Sequence, residues 1–192
     1  MLSSLPEEQL VARCQKELPY KLDAYREIVR RYESIVYNTS VKMIGSVQDA
    51  EEICQDTFLR VFHKLHQFEG RAAFKTWLFR IVYNFCLTRR KQLAKRRDRE
   101  GVNTDDLSES LVASESPVDG MSLSEELEKA MALLDEDQRR MIVLKYITGL
   151  SLQEIADVSD LGLSATKMRL YRALEEFKRI YTAIREGKEP EL

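Results

Sequence analysis

Within LSLQEIADVSDLGLSATKMRLYRAL, residues 150–174, the short run from 167 to 172 carries Lys167, Met168, Arg169, Tyr171 and Arg172, and no acidic residue interrupts 161–174. The chemistry these side chains suit is the non-covalent recognition of nucleic acid. A guanidinium forms paired hydrogen bonds with a guanine edge or grips a phosphate, and a helix laid in the major groove presents such groups from its first turns. A second concentration lies in AFKTWLFRIVYNFCLTRRKQLAKRR, residues 73–97, with eight Lys or Arg, five aromatics including the only Trp, and no Asp or Glu. Cations attract phosphates by releasing condensed counterions, and aromatic rings beside them stack on bases that have left a duplex. A membrane-surface helix is also basic and apolar, and a solvated helix can be basic, but a solvated face mixes signs and seldom exposes Phe79, Tyr83 and Leu87 together.

Other chemistries find few residues. Cys14, Cys54 and Cys86 are odd in number and far apart, without a C-x-x-C pair, so they read as small core residues rather than a disulfide framework or zinc site. His63 and His66 lie about one helical turn apart with no third ligand near them in sequence, so no metal is expected and they read as surface histidines. There is no nucleophile with a positioned base and no Gly-rich phosphate loop, so neither an enzyme nor a cofactor is expected. No apolar run is long enough for a membrane span, and MLSSLPEEQL lacks the basic and apolar regions of a signal peptide, which points to the cytosol.

The elements that must carry these residues are helical. Apolar residues recur at three and four, and only seven Gly and four Pro interrupt them in 192 residues. The expected fold is all-α: two small helical domains, 1–97 and 122–192, joined by a flexible acidic linker over 98–121. In DAEEICQDTFLRVFHKL the stripe Ala50, Ile53, Cys54, Thr57, Phe58, Val61, Phe62 and Leu65 faces a core, and Glu52, Gln55, Asp56 and Leu59 lie opposite. In the basic helix Phe74, Trp77, Leu78, Ile81, Val82 and Phe85 form a similar stripe. It should leave Phe79, Arg80, Tyr83, Asn84, Leu87, Arg90 and Lys91 pointing outward.

Residues 98–120 hold seven acids against one Arg and no sustained apolar period, the mark of a linker. Ser122 with Glu125 and Ser151 with Glu154 match helix-start capping boxes, and three or four helices should follow the linker. A capped short helix, a break near Asp160 to Gly162 and a longer helix from about Ser164 have helix-turn-helix spacing, with Ile155, Ala156, Leu161, Leu163, Leu170 and Leu174 packing between the two. Many helical hairpins with that spacing never touch DNA.

Taken together, these segments resemble the bacterial extracytoplasmic-function sigma factors, two-domain promoter-recognition subunits of RNA polymerase. DAEEICQDTFLRVFHKL is similar to the family's D-A-E-D-x-x-Q-E-x-F-L helix, FEGRAAFKTWLFRIVYN to its F-x-x-x-S-x-F-x-T-W-L-x-R-I-x-x-N segment, and DEDQRRMIVLKYITGLSLQEIA to the start of its C-terminal domain. The run GLSATKMR resembles a SigX-like sub-branch linked to cell-envelope homeostasis. The resemblance implies that Glu52, Gln55, Asp56 and Leu59 bind a coiled coil of the polymerase largest subunit. It implies that Phe68, the loop Glu69 to Ala73 and Asn84 receive a base flipped from the minus-ten element, that Arg80 and the basic residues after Asn84, Arg90 and Lys91 among them, hold the neighbouring backbone, and that Arg71, Lys75 and Tyr83 belong to the same DNA-binding set. Trp77, by its place on the apolar stripe, reads as a core residue rather than a base platform. Lys167, Met168, Tyr171 and Arg172 would read the minus-thirty-five element, with Arg169 on phosphate.

The family usually has Gly where Asp160 stands and Gly-Thr where Ser164 and Ala165 stand, and Met168 sits where polar residues are common. Asp tolerates a left-handed turn, so the hairpin should survive, with Gly162 able to shift the bend. The resemblance further implies a linker threaded along the path of nascent RNA, polymerase core and promoter DNA as partners, an anti-sigma factor as regulator, and a monomeric free chain. The expected activity is promoter recognition and melting without covalent chemistry by this chain, in an envelope or stress response. The competing reading is a dimeric helix-turn-helix repressor or activator on duplex DNA, which needs a dimer face or effector pocket that the sequence does not display.

Overall fold

The computed structural model describes residues 2–100 and 125–190, and every regular element among them is helical. After a 3-10 turn at Leu2–Ser4, the first half comprises α1 (Glu7–Glu17), α2 (Asp23–Ile44), α3 (Val47–Lys64) and α4 (Phe74–Glu100), with a 3-10 turn at Leu65–Gln67 between the last two. The second half comprises α5 (Glu125–Leu133), α6 (Glu136–Ile142) continued by a π-helical turn Val143–Ile147, α7 (Leu152–Ser159) and α8 (Leu163–Arg185). Four α-helices thus follow the acidic segment. Of that segment, 98–100 continue α4 and the remainder lies outside the described residues, as does Ser122 of the expected cap on α5.

Local chemistry sets the helix ends. Gly45 closes α2 at φ 79°, a left-handed position that favours glycine, and its N–H donates to the Val41 carbonyl at 2.8 Å. Ser46 caps α3 through the Asp49 N–H. The expected capping box at Ser151 and Glu154 is present with both hydrogen bonds, and a second one, Asp135 with Gln138, opens α6. Arg139 replaces a glycine-type stop at the end of α5 by donating to the carbonyls of Met131, Ala132 and Leu134.

The stripe expected on α3 is buried at Ala50, Ile53, Cys54, Thr57, Phe58 and Val61, with Leu65 following, whereas Phe62 is half-buried edge-on to the Tyr25 ring. These side chains meet Leu10, Val11 and Cys14 of α1 and Ile28, Val36 and Met43 of α2. All three cysteines are buried thiols, and burial pushes Cys14 and Cys86 up to about 12 and Cys54 to about 11. His63 and His66 are exposed, and no group of three metal-ligating side chains occurs among the described residues.

The basic helix departs from expectation. Phe74, Leu78 and Val82 of the anticipated inner stripe are buried, but Trp77, Ile81 and Phe85 are only half-buried. Phe79 and Tyr83, expected to point outward, are 0% and 9% exposed, and Leu87 and Arg90 are half-buried. The reason is that α4 is covered on two sides. One side packs on α2 and α3 and the other on α7 of the second half, so the helix carries two apolar faces and the core runs continuously through both halves. A single-stripe reading assigns the second face to solvent because nothing in the local sequence reveals a partner some 75 residues away.

Candidate nucleic-acid interface

The helix-turn-helix is formed by α7, a turn and α8. Asp160 ends α7 in the left-handed region at φ 56° and ψ 43°, while Gly162 keeps a φ of −72° as the residue before α8, so the bend stays at Asp160. Ile155, Ala156 and Leu170 are buried between the helices and Leu161 and Leu174 half-buried. Leu163, expected in that packing, is instead 47% exposed, because it occupies the first position of α8, ahead of the buried Thr166, Leu170 and Ala173 series.

Opposite that series, Lys167, Met168, Arg169, Tyr171 and Arg172 all reach solvent, with Met168 and Tyr171 about half exposed. The Lys167 ammonium lies 5.7 Å from the centre of the Tyr171 ring. Five side chains of the expected types are accessible at the start of α8, and one turn on Glu175 lines the same groove as Met168, Tyr171 and Arg172.

The second cluster gathers around the loop before α4. Gln15 of α1 donates to the carbonyls of Leu65 and Phe68 at 2.9 and 2.8 Å and so anchors the chain entering the loop, a role no sequence motif signalled. The Phe68 ring meets Trp77 at 5.4 Å and, edge-on, Phe74 at 5.8 Å. A cleft of about 330 Å³ opens here, lined among others by Phe68, Glu69, Arg71, Trp77, Arg80 and, from the second half, Asp157. Its size is at the lower end of small-ligand pockets, roughly 300–1,000 Å³. Asn84 and Lys91 are exposed, and the Arg80 side chain is 55% exposed.

Tyr83 is removed from solvent, however, and Arg90 donates to the Met43 carbonyl and pairs with Glu136. Lys75 lies beside Gly149, its ammonium 3.6 Å from where a Cβ would stand on that residue. Burial tends to raise the Glu154 carboxyl, but the backbone N–H and hydroxyl of Ser151, the Thr76 hydroxyl and the Lys75 charge hold it below its ordinary value.

The third cluster is the outer face of α3. Glu52, Gln55, Asp56 and Leu59 are exposed, Leu59 by 57%, beside the buried stripe. Arg89 of α4 joins this face by donating to Asp49 at 2.9 Å and pairing with Glu52. The Glu52 contact keeps the Arg89 guanidinium more firmly protonated than usual. An exposed leucine among carboxylates and an amide is suited to a protein partner with apolar and cationic groups.

Residues 28–107 match the family described as Sigma-70 region 2, and residues 124–177 match Sigma-70, region 4. The ECF RNA polymerase sigma factor SigW of Bacillus subtilis (strain 168) is 32% identical over 165 residues, which cover 82% of this chain and 88% of SigW. This chain belongs to the ECF RNA polymerase sigma factors. The RNA polymerase sigma-H factor of Pseudomonas aeruginosa is 28% identical over 184 residues, covering 91% of this chain and 93% of that protein.

Among solved structures, the sigma factor RpoE from Bartonella quintana, in complex with the anti-sigma factor NepR, superposes with a TM-score of 0.69 at 24% identity, covering 82% of this chain and 96% of the other. CnrH, in complex with the cytosolic domain of CnrY, gives 0.66 at 24% identity over 92% and 97% of the two chains. Both share the fold. As an ECF sigma factor, the chain serves promoter recognition by RNA polymerase. No helix among the described residues is long and apolar enough to cross a membrane.

Proposed function

We propose that this ECF sigma factor reads the minus-thirty-five element as duplex through α8 and the minus-ten element as a melted single strand through α4 and the 68–73 loop, while the outer face of α3 holds the polymerase core. In this reading residues 1–97 and 122–192 are the two functional domains. The observation that carries it is the accessibility of Lys167, Met168, Arg169, Tyr171 and Arg172 on the second helix of a helix-turn-helix, in a stretch without acidic residues from 161 to 174 and beside a buried series. The cleft between Phe68, Trp77 and Arg80 supports capture of an unstacked base, with aromatic walls and a cation at its edge. The exposed Asn84 adds an amide able to donate to and accept from a base edge. Base capture and phosphate contacts then offset an unstacking cost of a few kcal/mol per flipped base.

An envelope or stress response as its physiological setting rests on the GLSATKMR run. Regulation by an anti-sigma factor is the parallel suggested by the NepR complex of the Bartonella quintana protein.

The test separates reading from holding on α8. Run-off transcription with core polymerase is measured on promoters carrying every single-base change in the upstream element. Arg172→Ala should relax preference at one base by about 1–3 kcal/mol, whereas Arg169→Ala should weaken all promoters alike. Uniform loss for Arg172→Ala would assign it to phosphate, and an unchanged profile for both variants would remove α8 from promoter reading.

A further inference from the structure

Two cations of α4 assigned above to the promoter strand, Arg80 and Arg90, face carboxylates of the second half, and a third, Lys75, has one nearby. Lys75 lies in the field of Glu154, whose Oε1 accepts a 2.7 Å hydrogen bond from the neighbouring Thr76 hydroxyl. Arg80 faces Asp160 at 4.0 Å, and Arg90 pairs with Glu136. Thr76, Phe79, Arg80, Tyr83, Leu87 and Arg90 recur at three and four along α4, so these contacts share one face, with the buried Phe79 and Tyr83 between them. From Lys75 to Arg90 the helix rises about 22 Å, enough for several phosphates of an extended strand. Asp160 is the telling residue. It stands at φ 56°, where a glycine would meet less strain, and its 95% exposed side chain gives α7 no packing, so the described contact its carboxylate adds is the one to Arg80.

We infer that Glu136, Glu154 and Asp160 form a built-in polyanion that stands in for promoter phosphates on α4 and keeps the free chain closed to single-stranded DNA until its halves separate. A guanidinium paired with Glu136 or Asp160 cannot also grip a phosphate in the same geometry. The apparent affinity for the strand therefore falls in proportion to the open fraction. Buried Phe79 and Tyr83 supply most of the closing force, while the ion pairs at the solvent-facing rim set how readily DNA competes, because exposed pairs exchange with outside anions and weaken with salt.

This inference rests on the assignment of α4 to the minus-ten strand, and the experiment separates the two. Spin labels at Glu51→Cys on α3 and Lys178→Cys on α8 report the distance between the halves by pulsed electron resonance, the three native thiols being buried. The full chain should give one narrow distance distribution, and Glu136→Gln with Asp160→Asn should broaden it toward longer distances. The same pair of substitutions should tighten binding of a fluorescein-labelled random pool of single strands, about a dozen nucleotides long, by roughly twofold to tenfold. Asp23→Asn with Glu33→Gln, which makes the same change in net charge on α2, should do neither, and thermal melting checks that all variants fold. A broad distribution in the parent, or equal strand affinity in parent and Glu136→Gln/Asp160→Asn, overturns the inference. Should the strand bind all variants alike and ignore Asn84→Ala as well, the assignment of α4 to DNA fails and takes the phosphate-surrogate role with it.

Discussion

The two faces proposed to bind nucleic acid are made from similar residues but sit in opposite states. On α8, Lys167, Arg169, Tyr171 and Arg172 project into solvent on the side away from the buried Thr166, Leu170 and Ala173. On α4, the face that carries Arg80 and Arg90 also carries Phe79 and Tyr83, and it is packed against the second half. A helix with one apolar stripe has one free face and is ready to bind. A helix with two apolar stripes must either hold two partners or exchange one for another, and α4 is of that kind.

The largest effects should come from breaking the apolar support that both faces depend on. Leu78 is fully buried on the inner stripe of α4, so Leu78→Ala should cost about 2–5 kcal/mol of stability in chemical denaturation. Met168→Ala on the exposed face of α8 should stay within about 0.5 kcal/mol of the parent while altering promoter preference. A comparable loss at both positions would show that α8 packs on something this structure does not hold.

Next in size is the asymmetry between opening and docking. Asn84 is exposed at the edge of the covered α4 face, and if it captures a base as proposed, Asn84→Ala should lower open-complex formation on duplex promoters by roughly threefold to tenfold while initial duplex binding is kept. Permanganate footprinting of the melted region checks this. A pre-melted template should not fully rescue the variant, because base capture is lost rather than strand separation alone.

The outer face of α3 differs from both, being exposed, acidic and without a cluster of cations. Gln55→Ala with Asp56→Lys should weaken association with polymerase core at least several-fold while thermal melting barely moves, since both side chains are exposed opposite the buried stripe. Fluorescence anisotropy with labelled chain measures the first and calorimetry the second. Unchanged polymerase affinity with a lowered melting temperature would place these residues in the fold instead of at an interface.

The smallest effect concerns acid. Glu27 accepts from Arg30 and Arg31, hydrogen bonds that hold its carboxyl down at about 2 against an ordinary 4.5, and Arg31 also ties down the carbonyls of Leu2, Ser3 and Leu5. A carboxyl lowered in the folded chain contributes stability that is fully present above about pH 4.5 and is lost as the pH falls toward 2. Glu27→Gln should therefore flatten the acid side of the stability profile between those values and leave the variant less stable than the parent at neutral pH, as chemical denaturation across that pH range would show.

How much of this was legible beforehand follows from the range over which each residue acts. The α3 stripe, the Ser151 and Glu154 cap and the exposed face of α8 depend on neighbours within a few residues, and all three could be read from spacing. The Asp135 and Gln138 cap is just as local, with an Asp carboxylate in the place that a Ser hydroxyl takes at 151. The burial of Phe79 and Tyr83 against α7, the pairing of Arg90 with Glu136 and the anchoring of the 68–73 loop by Gln15 depend on contacts 46 to 78 residues apart, which no local period encodes. The α4 stripe misled for the same reason: periodicity marks an apolar face but does not say how many faces a tertiary structure will cover. Leu163 misled at an end, where the first residue of a helix lies beyond the packing it was assigned to.

If the proposed reading holds, this chain gives promoter specificity to RNA polymerase and has none of its own as a free protein. Run-off transcription by purified core polymerase on a genomic fragment library, with and without the chain, tests it most directly. The expected result is a set of discrete start sites that appear only when chain and core are both present, preceded by shared upstream and minus-ten sequences. A tight, sequence-specific dimeric footprint made by the chain alone, with no new start sites on adding it to core, would instead make it a repressor or activator that acts on duplex DNA.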